Sequence, residues 1–226
     1  MSLKEKYFEN RNISLGKSES ILTARSNLAQ REILTFEKLN KISGINANIR
    51  NSSFLDLGAG DQFLKHALDD YESTYLPLDI DDLNFNIDQF PLEDGEIDIL
   101  FSLAVIEHIS DVGHFMSECF RVLRPGGVIY LSTPNFRYCY RSFYNDPTHV
   151  RPFTDVSLEQ TVNLFGFENV SVYPGARCKP DWFYKGRYKF AKCAYLPFTG
   201  SAKWVPSLFK GRATSIFCIG RKPVLG

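Results

Sequence analysis

The sequence predicts a three-layer α/β fold, with a mostly parallel sheet of six to seven strands, helices on both faces and an antiparallel last strand. Three observations carry that prediction. FLDLGAGD, Phe54 to Asp61, reads as an apolar strand running into a glycine turn, and QFLKHAL starts a helix at once. IDILFSL from Ile97 and VIYLSTPN from Val128 are almost uniformly apolar, as strands buried on both faces are. ENVSVYP and ATSIFCIGRK, either side of a long intervening segment, read as a terminal antiparallel pair. With 226 residues, 44% of them hydrophobic, the chain can bury the core such a fold needs.

The elements follow in order. From Ser18 to Asn40 the apolar positions Ile21, Leu22, Leu28, Ile33, Leu34, Phe36 and Leu39 recur at helical spacing, predicting one or two helices within an N-terminal segment, 1–50. GINANIRNSS is polar and turn-prone and leads into the first strand of a core spanning 51–174. The first helix of that core is expected from Gln62 to about Leu68, and YLPLDID then forms a short strand ending in carboxylates. Between Asp79 and Ile97 the chain is too short for both a helix and a full strand, since a parallel crossover takes at least about 10 to 12 residues. NFNID is therefore a strand stub at most, with Asp88 at its end.

Ser110 or Asp111 can cap the next helix, whose stripe of Val112, Phe115, Met116, Cys119, Phe120 and Leu123 faces the core until Pro125, Gly126 and Gly127 end it. Phe136 to Thr154 is an irregular, aromatic-rich connection, of a length that usually carries function. Thr154 caps a helix bearing Leu158, Val162 and Phe165, and Gly166 closes it. A basic, aromatic insertion occupies 175–212, with Asp181 its single acid, and 213–226 returns to the core as the terminal strand. Cations interleaved with Trp, Tyr and Phe suit an anionic membrane surface or a phosphate-bearing substrate, while a packed subdomain with a solvated basic rim is the plainer reading.

Composition excludes several classes. Lys plus Arg equals Asp plus Glu, 26 each, so no overall field draws the chain to nucleic acid. The five cysteines are scattered and never form CxxC, which argues against a disulfide framework and a zinc site and for a reducing, cytosolic compartment. MSLKEKYFENRN has no apolar core of a secretion signal, and no run of about 18 apolar residues occurs, so neither export nor a membrane span is expected. The insertion leaves peripheral membrane contact as the remaining membrane association.

Chemistry concentrates at the ends of the central strands. Gly58 and Gly60 remove side chains that would hold a ligand off the backbone, and a strand, a glycine turn and a helix start make a nucleotide-sized cradle. Some twenty residues on, Asp79 stands where a carboxylate can accept hydrogen bonds from ribose hydroxyls, with Asp81 the alternative.

FLDLGAGD, LPLD, FPLEDGEIDILFSLAVIEHISD and FRVLRPGGVIYLSTPN resemble, in that order, the sequence blocks of class I S-adenosylmethionine-dependent methyltransferases, most closely the methyltransferase type 11 group. The resemblance covers about Phe54 to Asn135, and DPTHVRPFT with SLEQTVNLFGF extends it less specifically. It implies a Rossmann-like sheet and S-adenosyl-L-methionine as cofactor. It places Asp56, Gly58 and Gly60 in the turn beneath the methionine part, Asp79 at the ribose and Asp88 at the adenine amino group with Phe90 or Leu92 near the ring, and Ala59, Ile80 and Gln89 among the cofactor-binding residues. Ser102, Leu103 and Ala104 would line the pocket. The sequence departs from the pattern at Asp61 and Gln62, where a third glycine region is usual, and in the short segment after Asp79.

Methyl transfer needs a base only when the acceptor is a hydroxyl. His149 is the first candidate, an imidazole in the loop beyond a strand that reaches the cofactor edge; His108, at the carboxyl end of a central strand, is the second. Asp146 could orient His149. Arg141 and Arg151 could pair with an anionic substrate, and Tyr144 belongs to an aromatic loop suited to stacking on sugar faces or planar rings. Glu107 and His108, as neighbours on extended chain, are expected to point apart, so no metal site is assigned, although related enzymes that bind a divalent ion leave one open. His66 and His114 fall on surface helices. The type 11 resemblance, with the HVRPFT block, points to O-methylation of a small molecule or of a sugar in a surface-glycan or lipid-linked precursor. A methyltransferase-fold scaffold without turnover is the alternative, motivated by the altered glycine loop. A nicotinamide dehydrogenase fits poorly, because GAGDQF lacks the last glycine of GxGxxG.

Overall fold

The computed structural model describes residues 19–186 and 213–224. Its centre is a six-stranded sheet built from β1 (Ser53–Leu57), β2 (Thr74–Leu78), β3 (Ile97–Leu103), β4 (Leu123–Pro134), β5 (Glu168–Pro174) and β6 (Ser215–Arg221). The strands lie in the order β2-β1-β3-β4-β6-β5. β1 pairs in parallel with both β2 and β3, and β3 with β4. The last strand, β6, enters antiparallel between β4 and β5.

Alternation along the strands sorts the core into two layers. Leu55, Leu57, Leu100, Ile129 and Leu131 face α3 (Val112–Val122) and α5 (Asp155–Leu164), which contribute Phe115, Met116, Cys119, Leu158 and Val162. Phe54, Ile99, Phe101, Tyr130 and Phe217 face α1 (Glu19–Ile42), α2 (Lys65–Leu68) and α6 (Asp181–Tyr184). An aromatic row runs along this second layer, with Phe101 4.9 Å from Phe36, 4.5 Å from Phe54 and 4.6 Å from Tyr130 between ring centres. Asp111 caps α3 by accepting from the His114 amide, and Thr154 and Ser157 form a capping box at the start of α5.

Of the one or two helices expected before the sheet, the structure has one continuous element of 24 residues. Two expectations are corrected. The helix after β1 starts at Lys65 rather than Gln62, because Gln62 takes a left-handed φ of 56° and closes the preceding turn. NFNID is no strand: the Asp88 carboxylate accepts from the Asn84 amide at 2.6 Å and the Asn84 side chain from the Asn86 amide at 3.0 Å. Such short polar side chains offer the backbone a local turn in place of a ladder. The crossover helix expected to be missing before β3 is indeed absent from the described residues.

The aromatic connection after β4 is more ordered than its sequence implies. It holds α4 (Phe136–Cys139) and a 3₁₀ turn (Phe143–Asn145), and a bridge between Asn135 and Phe153 closes its base. Of the basic insertion, the part up to Gly186 is described: Phe183 and Tyr184 of α6 are buried, and Arg177 is ion-paired with the buried Glu32 of α1. The rest of that insertion, 187–212, lies outside the described residues. Among the described residues no helix is long and apolar enough to cross a membrane.

Candidate active site

The chain leaves β1 toward β2 on one side and later returns to β3 on the other. A crevice therefore opens at the carboxyl ends of β1 and β3, where ligands enter open α/β sheets. Its floor is the glycine turn. Gly58 and Ala59 both donate to the Leu78 carbonyl, at 2.8 and 3.3 Å, which ties the turn to the end of β2. Gly58 sits at φ 75°, and a Cβ there would stand 2.3 Å from Val105 Cγ2. Gly60, at φ 53°, meets only the Gly58 carbonyl at 3.9 Å, so its bare backbone faces open space. Asp79 holds the rim: Oδ2 accepts from the Gly60 amide at 2.8 Å and Oδ1 from the Ile80 amide at 2.7 Å, and each oxygen keeps a second lone pair for a ligand hydroxyl.

Asp56 lies beneath the turn, 2% exposed, and accepts a 2.6 Å hydrogen bond from the Tyr75 hydroxyl. Burial pushes its pKa up to about 6; the Tyr75 bond works against that and the nearby Asp79 charge adds to it. On the β3 side Ala104 turns the chain away at a left-handed φ of 58°, a costly conformation for a residue with a Cβ. The Ser102 hydroxyl, fully buried at the end of β3, has no hydrogen-bond partner among the described residues.

A second constellation stands beside this crevice. Val105, against Gly58, leads straight into a 3₁₀ turn, Ile106–His108. The Glu107 carbonyl accepts from the amides of Val150 and Arg151, at 2.9 and 3.0 Å, and so pins the aromatic loop over β3. The Glu107 carboxylate is 1% exposed and accepts from the Thr133 hydroxyl at 3.0 Å. Burial pushes its pKa up to about 7, opposed by bonds from its own amide and Thr133 and helped by the Asp146 charge. His108 Nδ1 lies 3.0 Å from the Thr148 carbonyl, and His149 Nδ1 lies 2.7 Å from that of Phe143. A carbonyl can only accept, so both rings carry their proton on Nδ1 and present a lone pair on Nε2.

The two imidazole rings lie 4.8 Å apart, and His149 Nε2 is 3.9 Å from Asp146 Oδ2. Glu107, His108 and His149 each bring one ligand atom within 4.8 Å of the others. The expectation that Glu107 and His108 point apart is thus overturned: they sit on a tight turn, not on extended chain. Asp146 touches the Nε2 side of His149, so the group that orients the ring is the Phe143 carbonyl.

The profile of the family described as "Methyltransferase domain" matches residues 60–131, the span from the glycine turn to β4. Over this span the chain is similar to methyltransferase domains. A "Probable S-adenosylmethionine-dependent methyltransferase" of Mycolicibacterium smegmatis is 40% identical over 97 residues, covering 40% of this chain and 37% of that protein. A malonyl-[acyl-carrier protein] O-methyltransferase of Coxiella burnetii is 35% identical over 69 residues, covering 29% of this chain and 24% of its own length. The match thus spans well under half of either relative. In fold, a SAM-dependent methyltransferase from Archaeoglobus fulgidus superposes with a TM-score of 0.56 at 16% identity, covering 85% of this chain and 94% of that one. The Mycolicibacterium relative is named for its dependence on S-adenosylmethionine. The site's own features fit that cosubstrate: bare backbone at Gly60, a half-buried carboxylate with lone pairs to spare at Asp79, and a buried Ser102 hydroxyl wanting a partner.

Most residues singled out in the sequence meet around this crevice. Asp56, Gly58, Ala59, Gly60, Asp79 and Ile80 form one continuous wall, Ser102, Leu103 and Ala104 the neighbouring strand end, and His108, Asp146 and His149 the cluster above it. Asp88 turns its carboxylate onto the Asn84 amide, and its carbonyl meets His114 Nε2 at 2.9 Å; Gln89 beside it is exposed and Phe90 is buried. His114, placed on the surface by its sequence, is thereby a buttress for this segment. Arg141 lies against Tyr140, Arg151 reaches the Ser110 carbonyl at 3.4 Å, and Tyr144 is 61% exposed on the loop surface. Sequence reasoning missed Glu107 as a site carboxylate, Val105 as the partner of Gly58, Tyr75 as the donor to Asp56, and the ion pair of Arg25 on α1 with Asp61 of the glycine turn. The signal for Glu107 was present: a lone acid within an apolar run at a strand's carboxyl end.

Proposed function

We propose that the protein transfers the methyl group of S-adenosylmethionine to a hydroxyl of a small molecule, or of a sugar in a surface-glycan or lipid-linked precursor. The bound cofactor supplies an electrophilic methyl on a sulfonium. The chain's part is to hold the acceptor, exclude water and take up the hydroxyl proton. In this reading the glycine turn and Asp79 hold the cofactor, Asp56 lends negative charge beneath it, and His149 receives the proton at Nε2.

The observation that carries the reading is the fixed tautomer of His149. With Nδ1–H held by the Phe143 carbonyl, the proton-accepting nitrogen is Nε2, and Asp146 3.9 Å away stabilises the imidazolium that forms. The name of the Coxiella relative, an O-methyltransferase, supports an oxygen acceptor. The exposed Tyr140 and Tyr144 rings and the cations Arg141 and Arg151 at the loop surface suit a sugar bearing phosphate. The test is a library of sugar nucleotides and lipid-linked sugars incubated with S-adenosylmethionine and read by mass spectrometry. Gain of one methylene on an acceptor, lost in His149→Ala, is expected; methylation of nitrogen acceptors alone would overturn the oxygen assignment. A scaffold without turnover would still fold and would bind neither S-adenosylmethionine nor its demethylated product, which calorimetric titration detects directly.

A further inference from the structure

Glu107, His108 and His149 form a group with no counterpart in the glycine turn, and its chemistry goes further than one base requires. Both imidazoles are clamped in the same sense, Nδ1–H to a backbone carbonyl, at 3.0 Å for His108 and 2.7 Å for His149. Metal-ligating histidines almost always donate their second ring N–H in this way, which fixes the ring and raises the basicity of the other nitrogen. The carboxylate is oriented too, by the Thr133 hydroxyl at 3.0 Å, and it is almost wholly buried.

The three residues come from two chain segments, the turn after β3 and the aromatic loop. The two amide bonds to the Glu107 carbonyl hold those segments together whatever the side chains do. One ligand atom from each residue lies within 4.8 Å of the others. Donors about 2.1 Å from a common ion stand ~3 Å apart at adjacent positions and ~4.2 Å apart across it, so closure takes small rotamer adjustments rather than a rearranged backbone.

We infer that Glu107, His108 and His149 bind one divalent transition-metal ion, with the remaining coordination positions open toward the crevice. Two imidazole nitrogens and one carboxylate favour zinc, cobalt or manganese over magnesium or calcium, which take oxygen ligands. Three protein ligands leave room for water or a substrate oxygen, as in catalytic rather than structural sites. An oxygen bound there is acidified by the ion, which takes over the task that the metal-free reading gives to His149. Only that last statement rests on the methyltransferase reading; binding of the ion does not.

The experiment is calorimetry on the chelator-treated full-length protein with Zn²⁺, Mn²⁺ and Mg²⁺, together with visible absorption on titration with Co²⁺, whose d–d bands report nitrogen ligation. One equivalent of Zn²⁺ or Co²⁺ is expected, with affinity reduced at least ~10-fold in both His108→Ala and His149→Ala and unchanged in His66→Ala. His108→Ala keeps the buried Glu107, and its thermal melt establishes that it folds. No uptake of zinc, cobalt or manganese by the wild type, or uptake that persists in both variants, overturns the inference. S-adenosylmethionine is titrated into the same samples. Binding of that cofactor without metal uptake sinks the metal site alone, and metal uptake without cofactor binding sinks the methyltransferase reading alone.

Discussion

Gly58 and Gly60 look equivalent in GAGD, but the structure gives them different work, and alanine at each separates the two. At Gly58 an alanine Cβ would press to 2.3 Å of Val105 Cγ2 and would sit at φ 75°. The left-handed backbone costs about 1–2 kcal/mol and the overpacking about 1–3 kcal/mol, so Gly58→Ala should lose about 2–5 kcal/mol. For a chain of this size that is a fall of ~4–20 °C in melting temperature. At Gly60 the nearest atom is 3.9 Å away, and only the backbone term of about 1–2 kcal/mol remains. Gly60→Ala should therefore melt within ~2–8 °C of wild type, yet bind S-adenosylmethionine poorly, because its methyl occupies the space left for the ligand.

Thermal melts with and without cofactor, joined to calorimetry, read both effects. Adding Val105→Ala should restore part of the stability lost in Gly58→Ala, with a coupling of ~1–3 kcal/mol, and should restore none in Gly60→Ala. If Gly58→Ala were no less stable than Gly60→Ala, or if Val105→Ala rescued neither, the packing argument would be refuted.

Other expectations concern the acids and the imidazole. Asp79→Ala removes the carboxylate proposed to accept from two ribose hydroxyls, so cofactor affinity measured by calorimetry should fall about 10²- to 10⁴-fold while the melting temperature moves little. His149→Ala should leave cofactor affinity within ~2-fold and cut turnover by about 10²- to 10⁴-fold, read by mass spectrometry of the methylated product. Asp56 has a folded-state pKa of about 6, above its ordinary 3.8, so its contribution to stability is intact below pH 4 and lost as pH rises through 6. Asp56→Asn should thus be more stable than wild type at pH 8, by about 3 kcal/mol at most, with the difference vanishing near pH 4 in denaturant titrations.

Much of the scaffold was legible because burial writes itself into strand composition. IDILFSL and VIYLSTPN have no place except the middle of a sheet, and both lie there as β3 and β4. The glycine turn and Asp79 were legible for a similar reason, since backbone approach and a carboxylate at a strand tip leave few alternatives. The cluster at Glu107 was not. A periodicity of two assigns neighbours to opposite faces, and only the change from strand to 3₁₀ turn at Ile106 brings Glu107 and His108 together. Asp88 misled in the other direction: its acidity suggested a strand end, while its reach back to the Asn84 amide makes a turn. Local side-chain bonds of that kind leave no mark in hydrophobic patterning.

The most direct measurement is a crystal structure of the protein grown with S-adenosylhomocysteine. The account predicts the ribose hydroxyls on the Asp79 carboxylate, the ligand lying along the bare backbone at Gly60, and its sulfur turned toward the loop that carries His149. A ligand bound elsewhere, or a crevice between β1 and β3 filled by the protein's own side chains, would contradict it.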